Sequence, residues 1–201
     1  PRRMTSWSSA IKMSNDHQLF YKAYDDWSDI DPVPDGITEN TYKHAIDYFG
    51  YFDPYKCYSY DTTDNRFEPE AKTGTKYCDA VSGDWSGNFL NWASMTRVDV
   101  LRKALFGGKR AVDTATQSVL ERALLANDVH SFAKVFTPAA DDSTANYTPY
   151  SVTTLTLCNS TPEPTAGPDE TQLLDTAANP PKMRVANGDW SRWAAGSRNQ
   201  C

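Results

Sequence analysis

The stretch Trp85–Arg110, WSGNFLNWASMTRVDVLRKALFGGKR, carries the clearest structural signal in this sequence. It contains no proline, and its glycines stand only near its two ends, so nothing interrupts a helix between them. Ser86 is a suitable N-cap residue, and Gly107 supplies the left-handed conformation that commonly ends a helix. The stretch therefore predicts a helix over residues 87–106.

The apolar residues of this predicted helix fall within one broad arc of a helical wheel, as in helices that pack on a core. They are Phe89, Leu90, Ala93, Val100, Leu101, Ala104 and Leu105. Four polar residues, Asn91, Asp99, Arg102 and Lys103, lie on the opposite side of the wheel. We expect these four side chains to face water.

Outward from this helix, the sequence predicts a second helix and several short strands. Asp113 or Thr114 can cap a helix over residues 114–125, whose apolar side chains are spaced for one helical face. Residues 17–24 and 46–70 hold short aromatic and aliphatic runs bounded by Asp, Pro and Gly, which is a strand signature. The predicted fold class is α+β, with short antiparallel strands packed on a pair of helices at 87–106 and 114–125.

Residues 137–181 differ in composition from the rest of the chain. They contain no Lys or Arg, six acidic residues and seven of the twelve prolines. This composition predicts a long, Pro-rich acidic loop within the domain. A short strand is expected inside it at Ser151–Leu157, where β-branched residues alternate with other side chains.

The composition of the whole chain restricts the class of protein. Its 201 residues carry a formal charge of −6, which disfavours a general nucleic-acid binder. Aromatic residues make up 12% of the chain, a content that is too high for a disordered protein. No window approaches 18 consecutive apolar residues, so we expect no membrane span.

The four cysteines, Cys57, Cys78, Cys158 and Cys201, are spaced too widely for a zinc or thioredoxin-like motif. An even number of widely spaced cysteines fits two disulfides in an oxidising compartment. We favour the pair Cys57–Cys78, because both residues lie in tyrosine-rich, strand-like segments separated by a polar loop. Cys158 would then pair with Cys201, or each with a partner outside this sequence. The alternative is four free thiols in a cytosolic protein.

One acidic run, Asp25–Glu39, has nearly the spacing of a calcium-binding loop. Alternating carboxylates before a glycine turn supply the hard oxygens that Ca²⁺ prefers. The candidate ligands are Asp29, Asp31, Asp35 and Glu39. Because Pro32-Val33-Pro34 delays Asp35 by two residues, a solvated acidic loop without a metal is the alternative.

Other motifs favour binding over catalysis. The sequence has no nucleophile elbow, no H-E-x-x-H and no P-loop, so the motifs give little support to an enzyme. Tyrosine and tryptophan are dense in one region, and such residues form either the core of a sheet or an exposed platform for sugars and proteins. They are Trp27, Tyr42, Tyr48, Tyr51, Tyr55, Tyr58 and Tyr60.

Six strings occur in an order that matches one known family. They are DHQLFYKAYDD (Asp16–Asp26), TYKHAIDYFGYFDPYKCYSY (Thr41–Tyr60), RFEP (Arg66–Pro69), the opening stretch Trp85–Arg110, DTATQSVLERALLANDVHSF (Asp113–Phe132) and MRVANGDWSRWAAGSRNQC (Met183–Cys201). Together they cover about half of the chain. The sequence resembles the N-terminal region of the PilY/PilC family of adhesins associated with the tip of type IV pili.

The resemblance implies that residues 1–201 are a single N-terminal-type domain, or a fragment, of a larger pilus-tip protein. It also implies a divergent von Willebrand factor A-like region. A metal site of that type has the pattern D-x-S-x-S, but Asp113–Ser118 has Ala115 at the first hydroxyl position, so we do not expect that site here.

The function that the resemblance implies is not enzymatic. The protein would be secreted through the periplasm to the cell surface or pilus tip and would support pilus biogenesis, surface attachment and motility. Its partners would be pilin or minor pilin subunits and a ligand on a host or environmental surface. A secreted carbohydrate-binding module that uses the tyrosines as a stacking platform is the alternative, and a secreted hydrolase is the third hypothesis.

Overall fold

The structure, a computed structural model, describes residues 17–24, 41–79, 84–125, 131–160 and 182–190. In chain order its elements are a 3₁₀ helix (His17–Phe20), β1 (Lys56–Asp61), β2 (Arg66–Lys72), β3 (Trp85–Ser86), α1 (Gly87–Ser94), α2 (Arg97–Phe106), β4 (Arg110–Asp113), β5 (Ser118–Leu120), β6 (Phe132–Phe136), a second 3₁₀ helix (Thr144–Asn146), β7 (Leu155–Ser160) and β8 (Lys182–Asn187).

The strands form three small sheets with the orders β2-β1-β3, β4-β5 and β6-β7-β8. Every strand pair in them is antiparallel, which together with the two helices confirms the α+β class. A von Willebrand factor A-like region is built on a mainly parallel sheet, and the described part of the chain does not show one. None of the helices in the described ranges is long and apolar enough to cross a membrane.

The predicted helix over 87–106 is two helices that meet at Met95 and Thr96. Its ends are as the sequence predicted, because Ser86 caps α1 and Gly107 ends α2 with a φ of 87°. The break was not predicted. It arises because Thr96 is extended and bridges to Lys22, with backbone hydrogen bonds from Ala23 N to Met95 O (2.9 Å) and from Arg97 N to Tyr21 O (3.1 Å).

Two of the predicted elements are wrong. Residues 114–125 do not form a helix, since β4 and β5 make a hairpin there. Thr114 does not cap a helix but closes the turn of that hairpin, with its amide donating to Gln117 O at 2.8 Å. Residues 17–24 form a 3₁₀ helix and a single bridge rather than a strand. Within 46–70 only β1 and the first part of β2 are strands.

The core is a cluster of aromatic rings around α1, every residue of which is buried. Its centre is Tyr42, whose ring lies 4.8–5.8 Å from five other rings in edge-on or tilted contacts. Those rings belong to Tyr48, Phe89, Trp92, Phe136 and Tyr147. Each contact of this kind contributes about 0.5–1.5 kcal/mol beyond the apolar area it buries.

The wheel-based prediction for polar residues is also wrong at two positions. Asn91 and Asp99 are fully buried, while Leu105, predicted to face the core, is 53% exposed. The Asp99 carboxylate accepts hydrogen bonds from Thr96 Oγ1 (2.6 Å) and from the backbone amide of Ala123 (2.9 Å). Asp99 is therefore buried because its carboxylate accepts from the backbone of the segment around Ala123, which has no helix to supply that partner.

Disulfides join distant parts of this loop-rich fold. Cys57 and Cys78 form the pair that the sequence favoured, and closing a loop of this length contributes about 3 kcal/mol. Cys158, in the fully buried strand β7, is also disulfide-bonded, and Cys201, its predicted partner, lies outside the described residues. None of the described cysteines is a free thiol, so the cytosolic free-thiol alternative is wrong for them.

Residues 137–160, the described part of the predicted acidic loop, contain the second 3₁₀ helix and β7. The predicted strand at Ser151–Leu157 corresponds to β7, which begins four residues later, at Leu155, and pairs with both β6 and β8. Residues 161–181 lie outside the described ranges.

Candidate interaction surface

Residues 41–53 connect to the rest of the molecule through side chains rather than through a sheet. They contain no helix or strand, yet several of their backbone groups are satisfied by α1. The Asn88 side chain donates to the Ile46 carbonyl (2.9 Å) and accepts from the Tyr48 amide (2.9 Å). Its second N–H donates to the Tyr42 hydroxyl at 2.8 Å.

Asn91, one helical turn further on, holds the next part of the same segment. Its side chain donates to the carbonyls of Tyr48 and Phe52, both at 2.8 Å, and accepts from the Phe52 amide at 3.0 Å. Gly50 lies directly against this amide, and a Cβ there would come within 2.3 Å of Asn91 Oδ1. Asn88 and Asn91, the asparagine pair, thus replace a strand partner for residues 46–52.

Gly87 has a similar steric role at the start of α1. A Cβ at this position would lie 2.1 Å from the backbone oxygen of Asp53. The structural roles of five positions of the string WSGNFLNW are therefore clear: Ser86 caps α1, Gly87 allows a close backbone approach, the asparagine pair supplies hydrogen bonds and Phe89 packs in the core. These five residues therefore build the scaffold.

The surface that this scaffold supports includes a row of four aromatic rings, the aromatic strip, formed by Tyr60, Phe67, Trp85 and Tyr150. Consecutive ring centroids lie 5.1, 6.0 and 5.7 Å apart, all in edge-on contact. Tyr60 and Tyr150 are each 42% exposed, while Trp85 is buried between them. The strip therefore presents a large tyrosine at each end and is held rigid by the buried tryptophan.

The tyrosines that the sequence singled out divide between the core and the surface. Tyr42, Tyr48 and Tyr58 are buried in the core, although only Tyr58 lies on a strand, whereas Tyr55 and Tyr60 are exposed. Tyr51 is partly buried and donates a hydrogen bond to Asp99 at 3.1 Å. Trp27 lies outside the described residues.

An acidic cluster beside the strip was not predicted. Carboxylates of Asp61, Asp64 and Glu68, at the β1–β2 turn, lie within 4.8 Å of one another. Arg66 forms ion pairs with two of them, Asp64 (2.8 Å) and Glu68 (2.5 Å). Amides of Thr63 and Asp64 donate to Asp61 and lower the pKa of its carboxyl. One arginine does not neutralise three carboxylates, so the cluster keeps a net negative charge.

A second polar group lies around Lys76, a buried residue with a φ of 64°. Its ammonium forms an ion pair with Asp47 at 2.7 Å and lies 5.9 Å from the centre of the Tyr55 ring. The His44 ring stacks on Tyr77 at 4.3 Å, and its Nδ1 is buried with no hydrogen-bond partner. Burial lowers the pKa of His44, and the charge of Lys76 lowers it further.

Comparison with known proteins shows the family to which this domain belongs. A family model described as "PilY1 homolog, small alpha/beta domain" matches residues 39–186. The chain belongs to the PilY1 homolog family. The matched range contains the asparagine pair, the aromatic strip and the β1–β2 turn.

Two relatives from Xylella fastidiosa carry the name type IV pilus biogenesis factor PilY1 homolog. One is 38% identical over 144 residues, which cover 70% of this chain and 10% of the relative. The other is 38% identical over 96 residues, which cover 43% of this chain and 8% of the relative. The chain thus spans about a tenth of the length of these relatives. No solved structure matches it.

The predicted calcium ligands Asp29, Asp31, Asp35 and Glu39 lie outside the described residues. Three of them also precede the range that matches the PilY1 homolog domain, which begins at residue 39. That prediction therefore rests on the sequence alone.

Proposed function

We propose that this chain is a binding domain of a type IV pilus biogenesis factor and that it contacts pilus components without catalysing a reaction. The observation that carries the proposal is its 38% identity, over 144 residues, to a PilY1 homolog that bears that name. The disulfides support a location outside the cytoplasm, at the pilus or the cell surface, because such bonds persist in oxidising compartments.

The aromatic strip is the surface we assign to this contact. Tyrosine is enriched at the energetic centres of protein interfaces, because its large ring is rigid and its hydroxyl still finds a hydrogen-bond partner. The strip has an exposed tyrosine at each end and the charged β1–β2 turn beside Tyr60. A pilin or minor pilin subunit is the partner we propose for it.

The experiment is a binding measurement between the oxidised chain and purified major and minor pilins. Replacing Tyr60 and Tyr150 together by Ala should weaken binding by about 30-fold or more, since two interface tyrosines are removed. Tyr55→Ala is the matched control, because Tyr55 is equally exposed but lies outside the strip. Absence of pilin binding by the wild type, or equal loss in the control, would refute the proposal.

Adhesion to a host or environmental surface, and with it support of motility, is the finer part of the proposal. Gold labelling of the protein on intact pili tests the location, with label expected at tips or on the cell surface. Label that is absent from both would contradict a role outside the cell.

Carbohydrate binding is a second candidate function, favoured by one specific observation. The hydroxyl of the exposed Tyr60 donates to Asn65 Oδ1 at 3.5 Å, and a planar amide beside an aromatic ring suits a pyranose. Saturable glycan binding that Tyr60→Ala abolishes, without any pilin binding, would favour this function over the first.

Calcium binding through Asp29, Asp31, Asp35 and Glu39 stays a separate proposal, supported by the spacing of these carboxylates. Calorimetry with Ca²⁺ should give a saturable heat that Asp29→Ala reduces. No heat at millimolar Ca²⁺, or no effect of the substitution, would remove this site.

A further inference from the structure

The carboxylate of Asp84 lies buried immediately before β3 without the partners that such a group requires. The residue is 5% exposed, and its Oδ2 is enclosed and accepts no hydrogen bond. A buried carboxylate without a donor or a positive charge is strongly destabilising. Burial raises the pKa of this carboxyl, and the negative charge of Glu70 raises it further.

The pairing of the strands places Asp84 beside Ser59. Tyr58 pairs with Trp85 in the antiparallel β1–β3 ladder, so the next position along brings Asp84 opposite Ser59. Because side chains alternate along a strand, Asp84 and Ser59 share the face away from Tyr58 and Trp85.

Glu70 reaches the same face from the other side of Ser59. The β1–β2 ladder pairs Tyr58 with Pro69 and Cys57 with Ala71, so Glu70 is the extra residue of a β-bulge. The Ser59 hydroxyl donates to Glu70 Oε1 at 2.6 Å. A carboxylate, a hydroxyl and a second carboxylate therefore follow one another across the sheet.

No basic side chain in the described part of the chain neutralises this group. Neither Asp84 nor Glu70 forms an ion pair with a described lysine or arginine, whereas the acidic cluster at the β1–β2 turn has Arg66. The group at Asp84 and the cluster at the β1–β2 turn lie on the same small sheet, but of the two only the cluster at the turn contains a basic side chain, Arg66. The group at Asp84 thus has the charge and the oxygen donors of a site that takes a cation from solution.

We propose that Asp84, Ser59 and Glu70 bind a hard divalent cation, with Ca²⁺ as the best fit. Carboxylate and hydroxyl oxygens are hard donors, and Ca²⁺ accepts irregular ligand sets completed by water more readily than Mg²⁺ does. Glu70 is exposed, so the ion reaches the buried Asp84 from the surface side. A bound ion would link β2, β1 and the residue that precedes β3 and α1.

The test measures Ca²⁺ binding by the whole chain, with Tb³⁺ luminescence sensitised by Trp85 as the direct reporter. Asp84→Asn should weaken binding at this site by at least about tenfold, and Glu70→Gln should weaken it in the same direction. Asp64→Asn is the matched control, because Asp64 belongs to the other acidic cluster of this sheet and forms an ion pair with Arg66. A chain with Asp29→Asn and Asp31→Asn should keep this binding, which separates the site from the proposed calcium loop.

Thermal unfolding supplies a second readout that a purely structural carboxylate would not reproduce. With a chelator present, Asp84→Asn should be at least as stable as the wild type, because it removes a buried charge and keeps the shape. With Ca²⁺ present, only the wild type should gain melting temperature through this site. A loss of stability in Asp84→Asn that is equal with and without Ca²⁺, or Ca²⁺ binding that Asp84→Asn and Glu70→Gln leave intact, would overturn the proposal.

Discussion

Replacement of Asn91 by Ala tests whether side chains of α1 hold the 41–53 segment. Asn91 is fully buried, and its amide makes three hydrogen bonds, two to carbonyls and one from the Phe52 amide. Each such bond contributes about 0.5–1.5 kcal/mol net, and the backbone groups left behind lose their partners. We therefore expect Asn91→Ala to lower the free energy of unfolding by about 3–4 kcal/mol.

The assay is equilibrium urea unfolding of the oxidised chain, followed by tryptophan fluorescence. Asn187→Ala is the control, because Asn187 is exposed on β8 and its side chain supports no other segment; its effect should stay within about 0.5 kcal/mol. A destabilisation of less than about 1 kcal/mol for Asn91→Ala would mean that water or a local shift satisfies the backbone of residues 48–52.

A double-mutant cycle with Gly50 sharpens the same test. In the wild type a Cβ at position 50 meets Asn91 Oδ1 at 2.3 Å and Met95 Cγ at 2.6 Å, so Gly50→Ala should cost about 1–3 kcal/mol. In the Asn91→Ala background one of these two contacts is gone, and the cost should fall by at least about 0.5 kcal/mol. Strict additivity of the two changes would show that the contact with Asn91 is not what requires glycine.

Three further perturbations follow from the structure. Replacing Cys57 and Cys78 together by Ser should lower the free energy of unfolding by about 3 kcal/mol in urea, and a change below about 1 kcal/mol would contradict a loop-closing role for this disulfide. Tyr42→Phe removes the hydroxyl that accepts from Asn88 and should cost about 1–2 kcal/mol by the same measurement, whereas no change would mean that Asn88 finds another acceptor. The pKa of His44 in the folded protein is below its ordinary value of 6.5, so the unfolded chain binds the proton more tightly. Protonation of His44 therefore lowers the free energy of unfolding as pH falls through and below about 6.5. Melting temperatures from pH 8 to pH 5 should fall less for His44→Gln than for the wild type, and parallel curves would refute this assignment.

The sequence predicted best those features that depend on contacts between residues close together in the chain. The Ser86 cap and the left-handed Gly107 act within one helical turn, so both ends of 87–106 were correct. The break at Met95 and Thr96 was missed because it depends on pairing with residues 21–23, which are distant in sequence. The helix predicted over 114–125 failed for a related reason, since a residue such as Thr114 that caps helices also closes turns.

The polar residues of α1 and α2 show a more general limit of sequence-based prediction of burial. A helical wheel assigns Asn91 and Asp99 to water, because polar side chains usually face solvent. Here both are buried, since the backbone they bind has no strand partner, and no local pattern reveals that need. The same limit applies to tyrosines. Tyr48 and Tyr60 both lie in a tyrosine-rich stretch of sequence, yet Tyr48 is in the core and Tyr60 is on the surface.

The size of the sheets explains why so many polar groups are buried. Sheets of two or three strands leave much of the backbone unpaired, and buried amides and carbonyls must find partners elsewhere. Asn88, Asn91 and Asp99 supply them from the helices, and the Cys57–Cys78 bond fixes β1 from the other side. The aromatic strip extends from β1, β2 and β3 with little regular structure around it, so its rigidity depends on these individual contacts. Substitutions in the asparagine pair should therefore weaken the binding of any ligand to the strip, although neither asparagine belongs to the strip. For every variant of this domain, stability has to be measured together with binding.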